Sequence, residues 1–184
     1  MKKLVLGAVV GGIVAQIWGM VSWMGLGWHM ADFKPFADPD AVADAVRAQN
    51  QGTGLYMLPN WDPSIHTDEE KMNEWNSKSE AGPFVFMSVQ ANGVKPGMGP
   101  MMAIGFGINV LVAFLLVWLL GQTSLTSPFQ QALFVGVAGA AGAMFPHLSN
   151  WNWWHFPLGY CLVGVVDLFI TWFLAGFAIS KLSG

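Results

Sequence analysis

One carboxylic acid, Asp167, lies inside the otherwise apolar stretch "GVVDLFITWFLAG", residues 164–176. A charged carboxylate at the middle of a lipid bilayer costs roughly 2.5–3.5 kcal/mol on insertion scales, so intramembrane acids face the protein interior and are commonly functional. The apolar segments of this chain contain no Lys or Arg. We therefore expect Asp167 to be neutral, or to share a proton with a polar neighbour.

Two amides occupy the same relative depth as this acid. Gln16 lies near the centre of the first apolar segment and Asn109 near the centre of the second. We predict one intramembrane polar cluster of Asp167, Asn109 and Gln16. It could be a hydrogen-bonded clasp that holds helices together, or a relay point for protons or cations. We favour the clasp, because one acid among amides is a small set for a pump.

The four histidines form a second candidate site. All fall near one predicted face of the membrane, and imidazoles together with carboxylates could bind zinc, iron or copper, or ligate haem. We expect the eight-residue spacing of His147 and His155 across a loop to bring these two side chains together. No spacing matches a metal motif, however, and histidines also occur in the headgroup zone without any ligand. The candidate metal ligands are His147, His155, His29 and His66.

Tryptophans are concentrated at the same predicted face. The segment "SNWNWWHFP" is the densest part of this rim. An interfacial aromatic belt explains such residues, although a dense rim could also contact a lipid, a quinone head or another subunit. The predicted rim consists of Trp28, Trp151, Trp153 and Trp154.

The composition indicates the elements that position these residues. Of 184 residues, 54% are hydrophobic and only 10% are charged, which is typical of a membrane protein. Four apolar segments are near the length that crosses a hydrocarbon core, and inside lipid they should be helices. They cover residues 4–28, 101–120, 129–145 and 156–180. The third is shorter and richer in small residues, which suits a helix shielded by its neighbours.

Small residues recur at four-residue spacing in two of these segments. Such faces allow close helix packing. They are Gly7, Gly11, Ala15 and Gly19 in the first segment, and Ala132, Gly136 and Ala140 in the third.

The charge distribution predicts the organisation and the orientation. Lys2, Lys3 and Lys181 flank the outermost segments, so the positive-inside rule puts both termini in the cytoplasm of a bacterial-type inner membrane and residues 31–97 outside. We predict an uncleaved signal-anchor helix over residues 1–29, an extracytoplasmic cap over 30–98, and three further membrane helices over 99–184. The expected fold is an all-α four-transmembrane-helix bundle with a small α+β insertion between helices 1 and 2.

The insertion has its own local signals. The sequence predicts helices over residues 38–50 and 67–82 and strands over 53–59 and 83–93. Thr67 followed by Glu70 reads as a capping box, and Gly82 as the end of that helix.

No catalytic signature appears in the chain. It lacks a Walker A loop, G-x-S-x-G, H-E-x-x-H and C-x-x-C motifs. The single cysteine, Cys161, excludes two-cysteine redox chemistry, and the formal charge of −3 argues against a nucleic-acid partner. We expect a non-catalytic accessory or scaffold subunit, with membrane lipid and other membrane subunits or a second copy as partners. The alternatives are a small proton or ion transporter using the Asp167 cluster, and a metal- or haem-binding redox protein using the histidines.

Overall fold

The computed structural model describes residues 1–49 and 52–182. Four of its helices are long and apolar enough to cross a membrane. These are α1 (Lys2–Gly25), α4 (Met98–Leu120), α5 (Pro128–Trp154) and α6 (Leu158–Ser180). The order of elements therefore agrees with the four apolar segments of the sequence, and the chain is compatible with a multi-pass membrane protein.

The four long helices pack in an up-and-down arrangement. α1 lies between α4 and α6, and α5 packs most extensively on α6. Glycines allow the closest approaches: a Cβ on Gly12 would lie 2.5 Å from a methyl of Val110, and one on Gly139 would overlap the ring of Trp172. Of the predicted small-residue faces, Gly7, Gly11 and Gly136 lie against neighbouring helices, and Ala15 and Ala132 are buried. A Cβ on Gly19 would meet no described atom within 4 Å.

α5 differs from its prediction. The third segment is predicted to end at residue 145, with a connection over residues 148–154. In the structure the helix continues through Pro146 to Trp154. A proline removes one backbone hydrogen bond, and membrane helices tolerate that loss when neighbouring elements hold the helix. The side chain of His147, next to the proline, packs on α6. The helix ends at His155, whose positive φ of 55° gives a left-handed cap.

The chain divides into two compact units, residues 1–33 with 97–184 and residues 34–96. The second unit contains α2 (Pro39–Gln49), β1 (Gly54–Leu58), α3 (Glu69–Ala81) and β2 (Val85–Val89), and its two strands pair antiparallel. The last residue of the predicted 38–50 helix lies outside the described residues.

One capping prediction in the second unit is wrong. The N-cap of α3 is Asp68, whose carboxylate accepts hydrogen bonds from the backbone N–H of Glu70 and Lys71. Thr67 instead belongs to a preceding 3₁₀ turn, where its hydroxyl donates to the carbonyl of Ser64. A carboxylate one residue later meets the same orphan N–H groups and complements the helix dipole, so it replaces the threonine as the cap.

Candidate functional site

Asp167 is the centre of a buried polar network in the four-helix unit. Its Oδ1 accepts hydrogen bonds from Trp18 Nε1 and Ser22 Oγ, both at 2.7 Å. Its Oδ2 lies 3.3 Å from His29 Nε2. Asp167 is 6% exposed, Ser22 0% and His29 4%. The acid is therefore surrounded by donors from one neighbouring segment of the chain.

That neighbouring segment is α1 with the turn that follows it. α1 ends at Gly25, and Gly27 takes a positive φ of 67°, a conformation that glycine adopts without steric cost. The chain then forms a 3₁₀ turn, Trp28–Met30, whose histidine points back to α6. His29 lies four residues after Gly25, the last residue of α1. The turn leaves its side chain buried.

The next residues continue along α6 towards its first turn. A Cβ on Gly159 would lie 2.9 Å from the carboxylate of Asp32, and Phe33 makes an edge contact with Tyr160. The level of Ser22 matches Asp167 and the level of Asp32 matches Gly159. Irregular backbone therefore lies beside the first two turns of α6, with His29 buried and Met30 and Phe33 exposed.

Counting hydrogens assigns the roles within the network. The hydroxyl of Ser22 has one hydrogen, which it donates to Asp167, and its oxygen accepts from Trp28 Nε1 at 2.9 Å. His29 Nε2 lies 2.9 Å from the same oxygen. Since the Ser22 hydrogen is already used, His29 Nε2 must carry a hydrogen and act as the donor. Each of these hydrogen bonds then joins a donor to an acceptor.

This geometry does not form a nucleophilic serine site. In a Ser-His-Asp triad the hydroxyl and the carboxylate bind opposite nitrogens of the imidazole. Here Ser22 and Asp167 both face Nε2 of His29. The serine hydroxyl also gives its hydrogen to the acid and has no accessible surface. The arrangement can fix helices in place and hold a proton, but it cannot present an activated hydroxyl to a substrate.

The two predicted amides form a separate contact. Asn109 Nδ2 donates to Gln16 Oε1 at 3.0 Å, which joins α4 to α1. Gln16 Nε2 in turn reaches the sulfur of Met102 at 3.8 Å. The structure therefore brings Asn109 and Gln16 together, while Asp167 has Trp18, Ser22 and His29 as its partners. Depth along a helix could not show which way each side chain faces around it.

The candidate metal ligands lie in different surroundings. His147 packs over Gly164 on α6, and its Nδ1 is buried without a partner among the residues that the structure describes. His155 caps α5, eight residues from His147 on a continuous helix, or about 12 Å along its axis. The expected approach of these two histidines was wrong, because the predicted loop between them is helical.

The fourth histidine belongs to the other unit. His66 stacks edge-on against Trp61, with ring centroids 4.8 Å apart. Among the residues that the structure describes, no group of three or more His, Cys, Asp or Glu side chains is arranged to hold a metal ion.

The predicted aromatic rim divides into two parts. Trp28 is drawn into the network through its hydrogen bond to Ser22. Trp23, which was not among the predicted site residues, stacks parallel on His29 at 4.0 Å. By contrast, Trp151, Trp153 and Trp154 stand on the last turn of α5 with much of their surface exposed.

Three members of the network were not predicted as site residues from the sequence: Trp18, Ser22 and Trp23. One signal was available. Ser22 and Trp18 are four residues apart, on one face of α1, and that helix ends at Gly25 with a second glycine, Gly27, two residues later.

Three cavities of the structure lie away from the network. One, of about 440 Å³, lies at the opposite end of the four-helix bundle, and another, of about 490 Å³, is a shallow groove on α5. The third, of about 330 Å³, belongs to the second unit and is lined partly by Asp62. Hydrogen bonds from Ser64 lower the pKa of that carboxyl. None of these three cavities is lined by Asp167, His29 or Ser22.

No protein-family profile, curated protein or solved structure matches this chain. Its four apolar helices are compatible with a multi-pass membrane protein. Support for a more specific function therefore comes from the geometry of the sites.

Proposed function

We propose that this protein is a non-catalytic integral membrane protein that acts as an accessory or scaffold subunit of a larger membrane assembly. The observation that carries the proposal is the closed state of the Asp167 network. Its donors and acceptors satisfy one another within the chain, and none of them faces the three cavities described above. A buried acid used in this way is a clasp between α1 and α6.

The packing around the network supports the same role. Between Asp167 and the far end of the bundle, the core consists mainly of apolar side chains, including Trp172, Ala175 and Ile179. Two buried hydroxyls of α6 in this region, on Thr171 and Ser180, donate to carbonyls of their own helix. Next to the network, the bundle thus offers a packed core and little material for a polar pathway, and the cavity of about 440 Å³ lies beyond that core at the helix ends.

Apolar surface remains for partners or lipid. The start of α4 exposes Met98, Met101 and Ile104, and glycines at Gly105 and Gly107 have no neighbour within 4 Å. In the proposed setting, a bacterial-type inner membrane with cytoplasmic termini and residues 31–97 outside, this face would meet lipid, another subunit or a second copy.

Two substitutions at Asp167 test the clasp. Asp167→Asn keeps the size of the side chain and an oxygen that can accept from Trp18 and Ser22. Asp167→Leu leaves these donors unpaired and should destabilise the bundle by about 1–2 kcal/mol, the model-peptide scale for intramembrane hydrogen bonds. We expect native gels in mild detergent to show the wild type in an assembly larger than its 20.0 kDa chain. Asp167→Asn should retain that assembly and Asp167→Leu should lose it.

A wild-type chain that runs alone under these conditions would contradict the scaffold proposal. Loss of the assembly in Asp167→Asn, with helix content and thermal stability intact, would contradict the clasp.

The second candidate is a proton- or ion-conducting protein that uses Asp167. The contact that favours it is the 3.3 Å approach of two titratable groups, His29 Nε2 and Asp167 Oδ2, inside a predicted span. A relay requires the titratable proton itself. Proton flux into liposomes that is present in the wild type and absent in folded Asp167→Asn would replace the scaffold by this function.

A further inference from the structure

The cavity of about 440 Å³ is enclosed by all four long helices at the end where α1 begins and α4 ends. This volume lies within the range of small-ligand sites. Its lining is layered. The first turn of α1, the turn after α4 and the first turn of α5 contribute polar residues, namely Lys3, Gln122, Thr123 and Gln131.

One helical turn deeper, the lining is apolar. It consists of Gly7, Val117, Leu120 and Ile179, of which the last two belong to the buried core. Met1, Leu125 and Leu182 add apolar side chains to the rim. Polar groups at the mouth and apolar surface below them resemble the boundary between the headgroup and the acyl chains of a phospholipid.

The rim contains an acceptor without a donor. Gln131 is only 8% exposed, and its Nε2 donates to the carbonyl of Leu125 at 2.7 Å. That bond fixes the orientation of the amide, and within the part of the chain that the structure describes it leaves Oε1 buried without a hydrogen-bond partner. A buried acceptor of this kind normally has a donor, and a bound N–H or O–H group can supply one.

The rim's own side-chain donors are directed elsewhere. Gln122 Nε2 donates to the carbonyl of Trp118, and the hydroxyl of Thr123 donates to the carbonyl of Leu120. Lys3 also lines the cavity, and its ammonium forms no ion pair with a described carboxylate. It supplies a positive charge for a phosphate.

We propose that this cavity binds a phospholipid whose headgroup carries a primary ammonium, as phosphatidylethanolamine does. The ammonium donates to Gln131 Oε1, the phosphodiester pairs with Lys3, and the acyl chains lie against the apolar floor. The proposal rests on the membrane location proposed above but not on the scaffold role, and lipid retention is measured separately from assembly.

Phosphatidylcholine is the matched probe, because it keeps the phosphate and the positive charge but has no N–H. Thermal unfolding midpoints are measured in nanodiscs of phosphatidylcholine alone and with phosphatidylethanolamine or phosphatidylglycerol added in equal amount. We expect phosphatidylethanolamine to raise the wild-type midpoint by roughly 2–4 °C, the usual consequence of a ligand that binds the folded state.

The variants separate this site from a general effect of the bilayer. Gln131→Leu should lose the rise, and Gln130→Leu, the same substitution at the exposed neighbouring position, should keep it. Equal responses in all three proteins, or no response in the wild type, would overturn the proposal. A rise with phosphatidylglycerol of the same size would overturn the ammonium specificity.

Native mass spectrometry keeps the proposal testable even where Gln131→Leu does not fold. Wild-type protein extracted from an equal mixture should retain phosphatidylethanolamine several-fold over phosphatidylcholine. Equal retention of the two lipids would refute the site.

Discussion

At the residue scale, the hydroxyl of Ser22 connects the other side chains of the Asp167 network. It donates to Asp167, accepts from Trp28 and contacts His29 Nε2, so three side chains meet at a single hydroxyl. The polar residues expected from sequence to surround the acid were amides. The groups that surround the carboxylate are instead the hydroxyl of Ser22, the indole of Trp18 and the imidazole of His29.

Removing that hydroxyl should be costly. Ser22→Ala leaves the indole N–H of Trp28 unpaired and takes one donor from the carboxylate, so we expect a loss of about 1–3 kcal/mol in the free energy of unfolding. Ser180→Ala is the control, since this buried serine donates only to the carbonyl of Phe177 within its own helix. Unfolding in detergent should distinguish the two variants; equal losses would show that Ser22 has no special role.

At the element scale, the interface of α5 with α6 depends on specific glycines. Gly139 lies against the ring of Trp172, whereas Gly142, three residues along the same helix, has no heavy atom within 4 Å of the position of a Cβ. The spacing of small residues in the sequence predicted a packing face, but it could not separate the glycines in contact from the glycines in open space.

A pair of alanine substitutions measures this difference. Gly139→Ala overlaps the indole and should destabilise the bundle by about 1–3 kcal/mol through overpacking. Gly142→Ala meets nothing and should be neutral or gain up to about 1 kcal/mol from the better helix propensity of alanine. Thermal unfolding of both variants is the measurement. A destabilised Gly142→Ala would indicate that this face has a partner in the assembled protein.

At the scale of the whole molecule, function depends on which side of the membrane holds the second unit. The proposed topology has both termini in the cytoplasm and residues 31–97 outside. This follows from Lys2, Lys3 and Lys181, since positive charge is retained on the cytoplasmic side.

Cysteine labelling tests that topology directly. Ser77 is exposed on α3, and the single native cysteine, Cys161, is buried. Ser77→Cys in a Cys161→Ser background should react with a membrane-impermeant maleimide on intact spheroplasts. Labelling that occurs only after lysis would reverse the orientation. The Cys161→Ser protein without the new cysteine is the control for background reaction.

The sequence by itself determined the four apolar helices and their order, because hydrophobic length and the need to satisfy backbone groups act locally along the chain. It also indicated the strands and helices between them, with boundaries displaced by a few residues. The end of α5 was an exception, since Pro146 is a local stop signal that packing on α6 overrides.

Only the tertiary structure decided the partners of each polar side chain. Gln16, Asn109 and Asp167 lie near the centres of their sequence segments, yet the packing of α1 on α6 sets Asp167 level with Ser22 and leaves the two amides to pair with one another. The turn at Gly27 then brings His29 back to the acid. Periodicity along one helix specifies a face, but the neighbour that this face meets is set by long-range packing of all four helices.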